Sequence, residues 1–184
     1  MSHDAPKSGQ EGVQSPATGG RSVVDKSHSI RGSDIARVEY SAITRASPAL
    51  SWKIFSDHRK WPTFVDAYGT IRWIAGEPWN VGSRLRVELV WPVRITVTRV
   101  VTMCRPAECV GWIDHARGST MEQWVIFEAE PDGGTCVRTW AEVFGSKPRV
   151  AGKPFVQFAE DFIKLWFDNL CKECDRVHGR QSRG

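Results

Sequence analysis

The chain has 184 residues, 41% hydrophobic and 25% charged, a balance that suits one globular domain and excludes collagen-like, coiled-coil and wholly disordered chains. The formal charge of +4 is unevenly spread: residues 36–175 hold 18 basic and 17 acidic side chains, and most of the excess is Arg176, Arg180 and Arg183. A near-neutral body without a basic stripe speaks against a nucleic-acid partner, and no apolar run approaches the roughly 20 residues of a bilayer span, so no membrane insertion is expected.

Residues 1–35 read as a disordered tail. Gly, Ser and Pro fill 14 of its first 33 positions and no aromatic occurs, so burial cannot offset the entropy of ordering it. It also lacks the apolar segment of a secretory signal, which points to a cytoplasmic chain. All nine tryptophans fall between Trp52 and Trp166, and the folded domain is expected over 36–178, with a short basic tail at 179–184.

Ile35–Thr44 alternates and is β-branched, a strand. Ser47 suits a helix N-cap and Pro48 the first helical position; that helix carries Leu50, Trp52, Ile54 and Phe55 and stops at Ser56-Asp57. A second helical turn is predicted around Lys60–Val65. The period then changes to two over Tyr68–Ile74, Ser83–Val90, Val93–Met103, Glu108–His115, Met121–Ala129 and Thr135–Phe144. Short Gly- and Pro-containing breaks separate these runs, which implies an antiparallel meander, because parallel strands need long crossovers. Finally Pro154–Val177 repeats apolar residues at spacings of three and four, including Phe158, Phe162, Trp166 and Leu170, a long amphipathic helix. Its stripe is wide and aromatic, and the sheet is the only partner large enough to cover it. The fold class is therefore α+β: a curved seven-stranded antiparallel sheet wrapped around a long C-terminal helix, with two short helices after the first strand.

Alternation also assigns side chains to faces. Leu85, Val87, Val97, Trp112 and Val125 point inward, toward Phe162 and Trp166 of the final helix. Arg99, Asp114, Gln123 and Thr139 share those apolar faces, and a buried polar group without a partner costs several kcal/mol, so each needs a partner or a ligand. Apolar walls with a few convergent polar groups are the usual make-up of a small-molecule site. The Arg99 fork suits a carboxylate or enolate oxygen. Asp114 is the candidate general base, with His115 beside it. Three alternatives stand against this: a bulge at Val100-Val101 that turns Arg99 outward, a solvated Asp114 at its strand end, or an internal Arg99–Asp114 ion pair that satisfies both groups without a ligand.

Five cysteines, an odd number, suit reduced thiols. Cys171 and Cys174 form a C-x-x-C inside the helical pattern with no second Cys/His pair nearby, so they are read as packing residues, and neither metal nor cofactor is expected. No nucleophile elbow, phosphate loop or H-E-x-x-H occurs.

The segment Ala46-Ser47-Pro48-Ala49-Leu50-Ser51-Trp52-Lys53-Ile54-Phe55-Ser56-Asp57-His58-Arg59-Lys60-Trp61-Pro62 resembles the helix-grip superfamily. That group includes START lipid-transfer domains, pollen-allergen-like proteins and the bacterial polyketide cyclase/dehydrase group known as SRPBCC. Val81-Gly82-Ser83, Val100 to Pro106, Gly133-Gly134-Thr135 and Asn169-Leu170 fit in the same order, so the resemblance covers about residues 36–177. It implies a hydrophobic cavity between sheet and helix whose mouth lies near turns such as those at Trp79 and Trp91. The expected function is binding of a hydrophobic small molecule, a lipid, polyketide or isoprenoid. The alternatives are a cofactor-independent cyclase or dehydrase using Arg99, Asp114 or His115, and a regulatory module with a protein partner.

Overall fold

The computed structural model describes residues 36–91, 94–116, 118–145 and 153–182. The tail expected at 1–35, together with Pro92, Val93 and Arg117, lies outside the described residues. Strand β1 (Ala36–Thr44) is followed by helix α1 (Pro48–Ser56), a 3-10 turn (His58–Lys60) and a short helix α2 (Trp61–Phe64). Six strands follow: β2 (Tyr68–Ala75), β3 (Arg84–Leu89), β4 (Ile95–Arg105), β5 (Cys109–Ala116), β6 (Ser119–Ala129) and β7 (Thr135–Phe144). The chain ends in helix α3 (Lys153–Gln181). This is the α+β architecture expected from periodicity, with all seven strands in one antiparallel sheet of order β1-β7-β6-β5-β4-β3-β2. Among the described residues no helix is long and apolar enough to cross a membrane.

The order makes β2 through β7 successive hairpins and returns β1 to the far edge beside β7, from Ala36↔Val143 to Thr44↔Thr135. The chain therefore crosses from one edge of the sheet to the other through α1 and α2. Ser47 begins α1 as its N-cap, its side chain accepting from the Leu50 amide at 3.4 Å, with Pro48 in the first turn. At the other end, the helix leaves carbonyls without intrahelical donors. Two indoles supply them: Trp61 Nε1 donates to Phe55 O at 2.8 Å and Trp79 Nε1 to Ser56 O at 2.9 Å.

Along α3, Ile163, Trp166, Phe167, Leu170, Cys171 and Cys174 are buried at helical spacing, which confirms the C-x-x-C residues as core packing. Polar contacts pin the helix to β1. Asp175 Oδ1 accepts from Thr44 Oγ1 and from the Arg45 amide, both at 2.7 Å. Asp168 accepts from the Tyr40 hydroxyl and pairs with Lys164. The helix continues to Gln181, so residues 179–181 of the expected basic tail form its last turn. The polar residues His178 to Gln181 extend a preformed helix without any apolar periodicity to announce it.

Two other expectations change. In β4 the pairing slips between Val101 and Met103, downstream of the bulge considered at Val100-Val101. Arg99 therefore stays inward, while beyond Thr102 the alternation that would continue from Val101 to Met103 passes instead to Cys104, which packs on the core. Trp79 does not stand at a cavity mouth: it is buried and packs against Trp52, Phe55, Trp61 and Trp73.

Candidate ligand cavity

The space between sheet and α3 is divided. At the α1 and α2 end, aromatic rings fill it: Phe55 lies 5.2–6.2 Å, centroid to centroid, from Trp61, Trp79, Trp112, Phe127 and Trp166. At the other end a cavity of about 150 Å³ remains, under the first half of α3. Leu89 and Ile95 at the β3–β4 turn and Ala116 and Ser119 at the β5–β6 turn form its rim. Trp91, 58% exposed, stands in the β3–β4 connection, two residues beyond Leu89 of that rim.

The wall contains most of the predicted residues. Val87, Val97 and Phe162 supply apolar surface, Trp112 and Trp166 the rings nearest the aromatic end, and Arg99, Asp114 and Gln123 the polar groups. Four predictions are corrected. Leu85, Val125 and Thr139 are fully buried but lie outside the cavity wall, closer to the filled end. His115 is exposed on the opposite face of β5, because its neighbour Asp114 takes the inward position. Several wall residues were not singled out by the sequence, notably Tyr68, Met121, Val143 and Ala159. Met121 stands two residues before Gln123 and Val143 four after Thr139, so the same alternation turns both inward, and they form a cross-strand pair. Tyr68 opens its strand, where alternation has not yet begun.

Arg99 and Asp114 sit directly across β4 and β5 and form a bidentate pair, Nε to Oδ1 at 2.8 Å and Nη2 to Oδ2 at 2.9 Å. Both residues are almost wholly buried, at 6% and 5% exposure. Trp112 Nε1 also donates to Asp114 Oδ2 at 3.3 Å, and the Trp112 ring lies under the guanidinium, 4.1 Å from Cζ. Burial opposes the Arg99 charge, but the facing carboxylate outweighs it and holds the group above its ordinary pKa. The internal ion pair weighed from sequence is thus the arrangement found. Gln123 and Thr139 likewise satisfy each other: Gln123 Nε2 donates to Thr139 Oγ1 at 3.0 Å, and Thr139 donates to Trp124 O at 2.7 Å.

No protein-family model matches this sequence, and no curated protein matches it. Solved structures do. The Zhui aromatase/cyclase from Streptomyces sp. R1128 superposes with a TM-score of 0.68 at 13% identity, over 77% of this chain and 94% of that one. Ara h 8.0201 gives 0.65 at 13% identity over 76% and 97%. TTHA0849 from Thermus thermophilus gives 0.66 at 11% identity over 77% and 99%. At such identities the likeness establishes the fold alone. The protein has the helix-grip fold.

Proposed function

We propose that the protein binds a hydrophobic small molecule in the cavity between the sheet and α3. The supporting observation is the open half of that space, walled by apolar side chains in a molecule whose other half is filled by rings. Interiors pack to crystal-like density, so a void of this size stands out against the packing around it. Its volume matters for the ligand class: about 150 Å³ is what a dry engineered cavity uses to hold one benzene. A compact ring, or the end of a polyketide or isoprenoid chain whose remainder leaves by the rim, fits this space better than a whole lipid.

A cyclase or dehydrase needs a free base in the cavity. Asp114 already accepts three hydrogen bonds there, and His115 faces outward, so the geometry favours a binder. The test uses the full chain purified from its own host. Native mass spectrometry should show an apolar compound leaving with the protein, and saturation-transfer NMR should show toluene held against the Met121 and Ala159 methyl groups. A protein that carries nothing and leaves toluene free would sink the proposal and favour the docking module instead.

A further inference from the structure

Three polar groups of the wall have hydrogen-bonding capacity that the protein does not use. Arg99 gives Nε and Nη2 to Asp114, and its Nη1 has no acceptor among the described residues. The Tyr68 hydroxyl hydrogen likewise has no acceptor among them, although the residue is only 8% exposed. The Trp166 indole N–H lies beside the Tyr68 oxygen but misses hydrogen-bond geometry, and it is left without a partner. A fully buried donor in the state of the Trp166 N–H is uncommon, because it forfeits the water it gave up on folding.

We propose that these groups bind the oxygen of an uncharged carbonyl compound, with the Tyr68 O–H and Arg99 Nη1 donating to it. The inference rests on the ligand-binding reading above and specifies its polar end.

Charge selects the class. A carboxylate would need a cation free to balance it, but the Arg99 charge is already matched by Asp114 at 2.8 Å. An anion would enter a site of no net charge, losing its hydration and meeting the Asp114 carboxylate. A ketone or aldehyde oxygen needs only donors. Tyr68 keeps its proton for the purpose: burial, then the Asp114 charge, raise its pKa against the opposing effect of Arg99. Both residues line the same cavity and both stand against the Trp61 ring, Arg99 Cζ at 5.7 Å and the Tyr68 ring at 5.6 Å from its centroid.

The experiment compares three one-ring probes by NMR titration of the full chain at pH 7: acetophenone, α-methylstyrene, in which the carbonyl oxygen is replaced by a methylene, and benzoate. Acetophenone should bind about tenfold more tightly than α-methylstyrene, the usual worth of a desolvated hydrogen bond, and benzoate more weakly than either. The carbonyl stretch of bound 13C-labelled acetophenone should move to lower frequency. Tyr68→Phe should reverse part of that shift and cost acetophenone about fivefold while leaving α-methylstyrene unchanged. Equal binding of acetophenone and α-methylstyrene would overturn the donor assignment while keeping the apolar cavity. Tighter binding of benzoate would overturn the selection for a neutral guest. If no probe binds, the ligand-binding reading fails and takes this inference with it. Should Tyr68→Phe not fold, the three-probe comparison on the unaltered chain decides alone.

Discussion

Arg99 and Asp114 share one fate. Each is buried, and among the described residues each has the other and the neighbouring indoles as its partners. Removing one member of such a pair leaves an uncompensated charge in the interior, which costs about 3–5 kcal/mol, whereas replacing both by apolar residues is often near neutral. Asp114→Ala should therefore lower the unfolding free energy in urea by that amount, and the double change Arg99→Met with Asp114→Leu should recover most of it. A double variant as unstable as the single one would show that the pair does more than neutralise itself. His58 makes a different prediction, in pH. Its Nδ1 accepts from Trp73 Nε1 at 3.3 Å, which requires the neutral ring, and burial lowers its pKa although Asp57 pulls the other way. The unfolded chain then binds the proton more readily, so the stability His58 contributes is present above about pH 6.5 and is lost as the pH falls through and below that value. The urea midpoint should decline between pH 7 and pH 5, and less steeply in His58→Gln. At this scale the sequence exposed polar residues on apolar faces, which is how Arg99, Asp114 and Gln123 came to notice. It offered the Arg99–Asp114 pair as one of several arrangements but could not choose among them, because that depends on the cross-strand register, and it missed Tyr68, whose position at the start of its strand carries no pattern.

Whole elements were legible where one physical signal dominated. Alternation marks β2 to β7, the Ser47-Pro48 start marks α1, and a wide stripe of three-and-four spacing marks α3. Boundaries and irregularities were less so. In β4 the run Val100-Val101-Thr102-Met103-Cys104 offers an apolar residue to either face after the bulge, and only pairing with Gly111 and Val110 decides that Cys104 turns inward. Trp79 is the sharper case. It holds φ at +66°, a region that non-glycine residues rarely adopt, and so brings a large ring back over the end of α1. Its neighbour Pro78 signals a turn, and turns imply exposure, but the strain is sustained by a ring cluster and a buried hydrogen bond that no local pattern encodes. Helix α3 shows the converse, its last turn continuing past the apolar stripe that identified it.

For the molecule as a whole, the decisive feature is an uneven filling of the grip. Sequence reasoning foresaw the clasp but not the division, since the nine tryptophans and eight phenylalanines could have packed the entire space or lined a large pocket. Instead α1 and α2 deliver Phe55, Trp61 and Trp79 to one end, and the α3 turn carrying Phe158, Ala159 and Phe162 spans the other without closing it. The small residue there is the weak point of the packing. Ala159→Trp should place a ring into the void and complete the core, adding about 0.5–2 kcal/mol, the range usual for cavity filling. A ligand that binds only the folded protein raises its melting temperature by mass action, so toluene should raise that of the unaltered chain. The Ala159→Trp protein should melt higher without toluene and gain nothing from it. A lower melting temperature would mean that the walls cannot receive a ring in that place, and a toluene response undiminished by the plug would put the guest somewhere other than beneath α3.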